Sequence, residues 1–238
     1  RVTDSMVDLT SEMASLWAAL GPPPAHRGRV VQIACASTGE GASTVAREFA
    51  RLAAVRARKP VWLIDADLAQ PGQQEAVASE ADRYGRLGAP AASSPNGSSF
   101  FAVTPPIFGR DRKPVAHARL MTARPCLGGR LWVTRFRAEL LRSGQRAEPV
   151  ADPRYWDAMR RFADTVIIDA PAADRSDTAI TLAPFVDATV LVVAAEATSA
   201  AEPVILRDEI EAVGGRIAGV VVNRSTYAPP PFLRRLTG

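Results

Sequence analysis

Lysine is scarce in this chain: of 29 basic residues, only Lys59 and Lys113 are lysines. Cysteine and histidine number two each. Cys35 lies in an apolar stretch and Cys126 in a distant loop, so they read as free thiols in a reducing compartment, not as a disulfide. His26 and His117 offer no metal cluster and read as surface loop residues. Nowhere are there the ~20 uninterrupted apolar residues that a membrane span needs. The best candidate, 186–201, is broken by Asp187 and Glu196. No signal-peptide pattern opens the chain, and its first residue, Arg1, is expected to follow a trimmed N-terminus. What remains is a sequence of 238 residues, 47% apolar, long enough to bury the core of one soluble α/β domain carrying insertions.

Against that background one loop stands out. Residues 37–44 read Ser-Thr-Gly-Glu-Gly-Ala-Ser-Thr, a P-loop pattern with alanine at the lysine position. A P-loop wraps phosphates with backbone N–H groups at a helix N-terminus, and its lysine adds charge on the outer phosphates. Here the glycines and hydroxyls are kept and the charge is gone. An ordinary glycine turn capping a helix would look similar, but the context is that of a P-loop. Residues 29–36 are a short apolar, β-branched run suited to a buried parallel strand. Residues 44–58 then place Val45, Phe49, Leu52 and Ala53 on one helical face.

Two further apolar strands end in acids. Residues 60–71 carry Asp65 and Asp67, and 165–171 carry Asp169. Ligands of open α/β sheets sit beyond the carboxyl ends of the strands, so these acids are expected beside the loop, holding a metal-bound water near phosphates. Each alone can be read as a turn cap. The expected fold is a mostly parallel central sheet flanked by helices.

Four blocks, from residue 30 to residue 224, carry a resemblance: the 37–44 loop, Leu-Ile-Asp-Ala-Asp-Leu-Ala-Gln-Pro, Val-Ile-Ile-Asp-Ala-Pro and Val-Val-Val-Asn-Arg. Together they resemble the bacterial tyrosine kinase family, the cytoplasmic ATP-binding domains of capsule and exopolysaccharide chain-length regulators, related to MinD/ParA ATPases. The resemblance implies catalytic roles for Asp65, Asp67 and Asp169. It implies nucleotide contacts from Thr38, Gly39, Glu40, Gly41, Ala42, Ser43, Thr44 and, near the base, Asn223. ATP or ADP would be the cofactor, with Mg2+ on Ser43, Asp65 and Asp169. Residues 11–20 resemble the helix that precedes the kinase core. The implied partner is a membrane-embedded chain-length (co-polymerase) protein, the implied location the cytoplasmic face of the inner membrane, and homo-oligomers are a further expectation.

The departures shape the functional expectation. Ala42 replaces the family's lysine, and Ala36 and Ser37 stand where MinD-type proteins carry a second one. Ala69 and Gln70 replace arginines after the second aspartate, and Ser15 and Ala18 or their neighbours replace arginines of the leading helix. The tyrosine-rich tail is absent: Tyr84, Tyr155 and Tyr227 are the only tyrosines. A cation at the transferred phosphate is worth ~10³–10⁵ in rate, so a pseudo-kinase with a regulatory or scaffolding role is expected. The alternative is an active ATPase or tyrosine autokinase using an arginine such as Arg47, Arg224 or one from a neighbouring subunit.

The expected organisation is a leading helix and proline spacer (1–21), a P-loop-like domain (28–224) and an extended tail (225–238). Within the domain, Gly, Pro, Ala and Ser over about 85–127 suggest a long loop insertion. Short helices are expected near 72–83, 153–163 and 200–213, and strands near 131–136, 188–194 and 216–222. Residues 110–146 hold ten basic residues against two acids, in a chain whose net charge is +4. This segment suits an anionic membrane surface, an acidic partner or nucleic acid. The scarcity of aromatics among its charges counts against single-stranded nucleic acid, and a ParA-like DNA-associated ATPase is the least favoured reading.

Overall fold

The structure, a computed structural model, describes residues 9–106, 108, 117–195 and 201–224. In chain order the elements are α1 (Thr10–Leu20), β1 (Arg29–Cys35), α2 (Ala42–Arg56), β2 (Val61–Asp65), α3 (Gln73–Ser79), α4 (Ala81–Tyr84), β3 (Ala91–Ala92), β4 (Phe101–Thr104), β5 (Met121–Cys126), β6 (Leu131–Phe136), β7 (Arg146–Pro149), α5 (Pro153–Phe162), β8 (Thr165–Asp169), α6 (Thr178–Leu182), β9 (Ala188–Ala194), α7 (Ala201–Ala212) and β10 (Ile217–Asn223). Among the described residues an eight-stranded sheet runs β10-β9-β1-β8-β2-β6-β5-β3, and β4 pairs with β7 apart from it. The six strands from β10 to β6 are parallel; β5 and β3 continue antiparallel.

The period of two along a strand sorts the core into faces. Val31, Ile33 and Cys35 of β1 point toward α1 and α2, meeting Val45, Phe49 and Ala53. Val30 joins Trp62, Ile64, Val166 and Ile168 on the other face, under α5. Ala34 packs with Leu191, Leu206 and Ile210 beneath α6 and α7. Since both faces are covered, β1, β2 and β8 are buried at every position, which is why they read as continuous apolar runs. Asp152 caps α5 by accepting from Arg154 N–H at 2.9 Å, with Pro153 in the first turn. That helix buries Tyr155, Trp156 and Met159 completely, each worth roughly 1.5–3 kcal/mol relative to exposure.

Several sequence expectations change. Within the expected 153–163 helix, Phe162 is 62% exposed, because it occupies the last position of α5 and the chain turns away at Ala163. The 72–83 helix is two short ones, interrupted at Glu80 with φ −110° and ψ 46°. The stretch read as a long loop over 85–127 carries β3, β4 and β5, with Cys126 ending a strand. Phe100, Phe101 and Met121 anchor it in the α5-side core. Both cysteines are buried free thiols. The expected 225–238 tail lies outside the described residues. No described helix is long and apolar enough to cross a membrane.

Several arginines of the basic segment are also committed internally. Arg124 donates to the carbonyls of Gly88 and Leu87, and Arg130 to those of Val55 and Ala57 at the end of α2. Arg135 pairs with Glu139 at 3.0 Å, and Arg137 donates to the Arg119 carbonyl. Arg110, Arg112 and Lys113 lie outside the described residues.

Candidate functional site

The carboxyl ends of β1, β2 and β8 open onto one cavity of about 280 Å³. Thr38, Gly39, Gly41, Ala42 and Ser43 line it from the loop, Asp169 and Asp67 from the strand ends, and Cys35, Arg175 and Arg224 complete its polar wall. The loop after β1 turns tightly into α2, with Gly39 and Gly41 at φ 91° and 93°, a region that glycine enters without steric cost. Gly41 is fixed for a second reason: a Cβ there would stand 2.1 Å from Asn223 Nδ2. The first N–H groups of α2, starting at Ala42, lack intrahelical acceptors, as at any helix start, and they open toward the cavity with the positive end of the helix dipole.

Two residues expected at the nucleotide also brace the loop. Glu40 is buried and folds under it, accepting from Ser37 N–H at 2.9 Å and from Ala194 N–H at 3.4 Å. Asn223, at the end of β10, donates to the Glu40 carbonyl at 2.8 Å. Thr38 is held from outside: Asp174 accepts its N–H at 2.8 Å and its hydroxyl at 2.9 Å. Ser43 and Thr44 are exposed, and the Ser43 carbonyl accepts from Gln73 Nε2 at 2.9 Å.

The three acids are brought together but are not equivalent. Asp65 and Asp169 are register partners on β2 and β8. Both oxygens of Asp65 are taken by backbone N–H groups, Asp67 on one at 3.2 Å and Gly72 and Gln73 on the other at 2.8 Å each. It shapes the turn from β2 into α3. Asp67 receives Gln70 N–H at 2.9 Å and pairs with Arg175. Asp169 is different: Oδ2 accepts from Gln73 Nε2 at 2.6 Å, while Oδ1 is buried and has no hydrogen-bond partner. Burial pushes both Asp65 and Asp169 above the ordinary carboxylate range. For Asp65 the neighbouring Asp169 adds to the rise and backbone donors oppose it; for Asp169 the Gln73 amide and the nearby Ser43 hydroxyl oppose it. Burial, reinforced by Glu40, Asp169 and Asp174, raises the Cys35 thiol to about 12, so it stays protonated and is no nucleophile.

Arginine is the remaining question. Arg47 is drawn away from the loop by Glu80 at 3.6 Å and Gln73 at 3.3 Å. Arg224 reaches the cavity wall, as does Arg175. Arg175, Gln73 and Asp174 were absent from the sequence-derived set. Arg175 and Asp174 follow Asp169 by six and five residues, and the rule that ligands sit beyond strand ends points to that turn. Gln73 carried no such signal. Among the described residues, no group of three or more His, Cys, Asp and Glu side chains is arranged to hold a metal by itself.

No protein-family model matches the sequence, and no curated protein matches it. Solved structures do. The VpsO kinase domain is 19% identical at a TM-score of 0.56, covering 92% of this chain and 93% of that one. The kinase domain of Escherichia coli tyrosine kinase ETK is 17% identical at 0.52, covering 91% and 76%. The septum site-determining protein MinD of Pyrococcus horikoshii, complexed with Mg-ADP, is 15% identical at 0.54, covering 87% and 76%. At such identities the likeness speaks for the fold: this chain has the P-loop NTPase fold shared by bacterial tyrosine kinase domains and MinD ATPases, the fold that its sequence motifs resemble.

Proposed function

We propose that this protein is a kinase-like P-loop protein that retains Mg-nucleotide binding while phosphoryl transfer is crippled by Ala42. The observation that carries the reading is Asp169 Oδ1, buried without a partner at the wall of a cavity whose opposite side is a glycine loop and a helix start. An unpaired buried carboxylate oxygen is costly unless a ligand satisfies it. Mg2+ fits this place, because it needs only one or two protein oxygens beside phosphates and water. Ser43 and Asp169 are the residues that would hold it, since the oxygens of Asp65 are already occupied. When bound, such an ion offsets negative charge on the phosphates. Backbone N–H groups of Gly41, Ala42 and Ser43 orient the phosphates, and Gln73 holds Asp169 in place.

The regulatory part of the proposal is a scaffolding or activating role toward a membrane chain-length protein of capsule or exopolysaccharide export. It is supported by the sequence resemblance and by the kinase-domain fold. Residues 110–146 are the proposed contact with that protein or with anionic lipid, and self-association is compatible with either.

Calorimetric titration with Mg-ATP and Mg-ADP, on the natural chain and on Ala42→Lys, tests the core of this reading. Binding to both, with phosphoryl transfer detectable only in the lysine variant, is the expected result. Ready turnover by the natural chain would make it an active kinase or ATPase. Failure of both proteins to bind nucleotide would remove the reading altogether.

A further inference from the structure

The loop lacks a lysine, yet the cavity does not lack a cation. Arg175 lies on the turn between β8 and α6, and its side chain forms part of the wall shared with Gly39, Ala42 and Asp169. Its mounting is rigid. The N–H groups of Ala173 and Asp174 donate to the carbonyls of Cys35 and Ala36 at 3.0 Å each, extending the end of β1 across the mouth of the cavity. Arg175 N–H closes the turn on the Ala172 carbonyl at 3.0 Å. The same turn grips the loop through Asp174 and Thr38.

The guanidinium is aimed by Asp67, which accepts from Nη2, and by Gln70 Oε1, 3.3 Å from Nη1. Its side chain remains 35% exposed, and five N–H donors exceed what those two acceptors use. Acids outnumber cations at this edge: Asp67 and Asp169 line the cavity, Asp174 sits on Thr38, and Glu202 accepts the Ser37 hydroxyl at 2.6 Å, against Arg175 and Arg224 on the wall. A polyphosphate entering that field needs a compensating charge at the wall. Arginine suits the task, since its planar fork binds phosphate oxygens in pairs and it is always charged.

Resting on the nucleotide-binding reading above, we propose that Arg175 supplies the phosphate-binding charge that Ala42 cannot, contacting the phosphates of a nucleoside di- or triphosphate from the β8–α6 turn. Asp67 holds the guanidinium at the cavity wall and yields part of it to the ligand. The charge arrives on the β8–α6 turn instead of on α2, so it secures binding without restoring the geometry of a loop lysine.

The experiment is calorimetric titration of the full chain with Mg-ADP and with adenosine, comparing the natural protein, Arg175→Ala, Arg175→Gln, Arg175→Lys, Ala42→Lys and the Arg175→Ala/Ala42→Lys pair. Arg175→Ala should weaken Mg-ADP by ~10–100-fold, the worth of one or two charge-assisted hydrogen bonds, and leave adenosine unchanged. Arg175→Lys should keep most of the affinity, and Ala42→Lys should rescue the alanine variant. Arg175→Gln removes the charge while keeping an amide donor for Asp67, so it gives the same reading if the alanine variant does not fold. Mg-ADP affinity within about twofold of the natural chain in both neutral variants overturns the proposal while leaving the nucleotide-binding reading intact. Binding by Ala42→Lys alone also overturns it, with the loop still shown to be nucleotide-shaped. Binding by neither chain removes that reading and the proposal together.

Discussion

The two ends of the central sheet bury charge in opposite ways. At the amino end, Asp187 precedes β9 and accepts from Arg27 at 3.0 Å, from Val30 N–H at 2.7 Å and from Arg160 at 3.4 Å. Beside it Arg29, buried at the start of β1, donates to the Gly21 carbonyl through Nη1 and lies 4.3 Å over the Trp17 ring, its Nε and Nη2 buried without a hydrogen-bond partner. At the carboxyl end, Asp65 and Asp169 are neighbouring acids, and one oxygen of Asp169 is buried without a hydrogen-bond partner. Opposite charges meet at one end to hold strands together; like charges are held together at the other by the fold around them. Where a structure keeps an unfavourable arrangement, a ligand is the natural partner.

The strongest way to break this contrast is to add the missing charge. Ala42→Lys should raise phosphoryl transfer from Mg-ATP by ~10³-fold or more, read as phosphate release or autophosphorylation against the natural chain. An unchanged rate would mean that the carboxyl end lacks more than a lysine, with Ala69, Gln70 or the turn around Asp65 as the further cause. Next in size, Asp169→Asn should cost ~10²-fold in Mg-nucleotide affinity and abolish its dependence on Mg2+. The same change should leave the melting temperature equal or higher, because it relieves two adjacent carboxylates. A loss of stability with unaltered binding would reverse the assignment and make Asp169 a structural acid.

The contrast also explains what was legible in the sequence. The parallel strands could be read because burial on both faces leaves uninterrupted β-branched runs, as in β8, and the loop because glycine at φ near 90° leaves few substitutes. Asp65, Asp67 and Asp169 were legible as strand-end acids. Their division of labour was not, since it depends on which oxygens the 66–73 turn occupies, a matter of backbone path. Arg175 was hidden among 29 basic residues, with nothing in its local pattern to mark it off from a surface arginine. The antiparallel extension by β5 and β3 was missed because 85–127 is rich in Gly, Pro, Ala and Ser. The few residues that fix it, such as Phe100, Phe101 and Met121, gain meaning only from the α5 face they meet.

At the amino end the expected effects are on stability alone. Burial by itself would raise the Asp187 carboxyl, but Arg27, the Val30 N–H and Arg160 outweigh that and hold it below the ordinary value. A lowered folded-state value stabilises the protein above the unfolded value near 4, and the gain is lost as pH falls through the folded one. Asp187→Asn should therefore cost about 1–3 kcal/mol at neutral pH and progressively less in denaturant melts below pH 4. Mg-nucleotide affinity should not move. Were it to change, the two ends would be coupled through β1 and the contrast would fail.

The smallest effect concerns the basic segment, which looked like a partner surface and structurally resembles the amino end. Arg130 is exposed, yet its Nη2 bonds the carbonyls of Val55 and Ala57 at 2.9 and 3.3 Å, at the point where α2 runs out of intrahelical donors. A cation there satisfies terminal carbonyls and complements the negative end of the helix dipole. Arg130→Ala should thus destabilise by about 0.5–1 kcal/mol in urea melts, most visibly at low salt, because screening weakens exposed charge interactions. Binding to vesicles with anionic headgroups should be little altered, since this guanidinium is already engaged. A large loss of vesicle binding with unchanged stability would place Arg130 on an interaction surface and set it apart from the paired charges of the amino end.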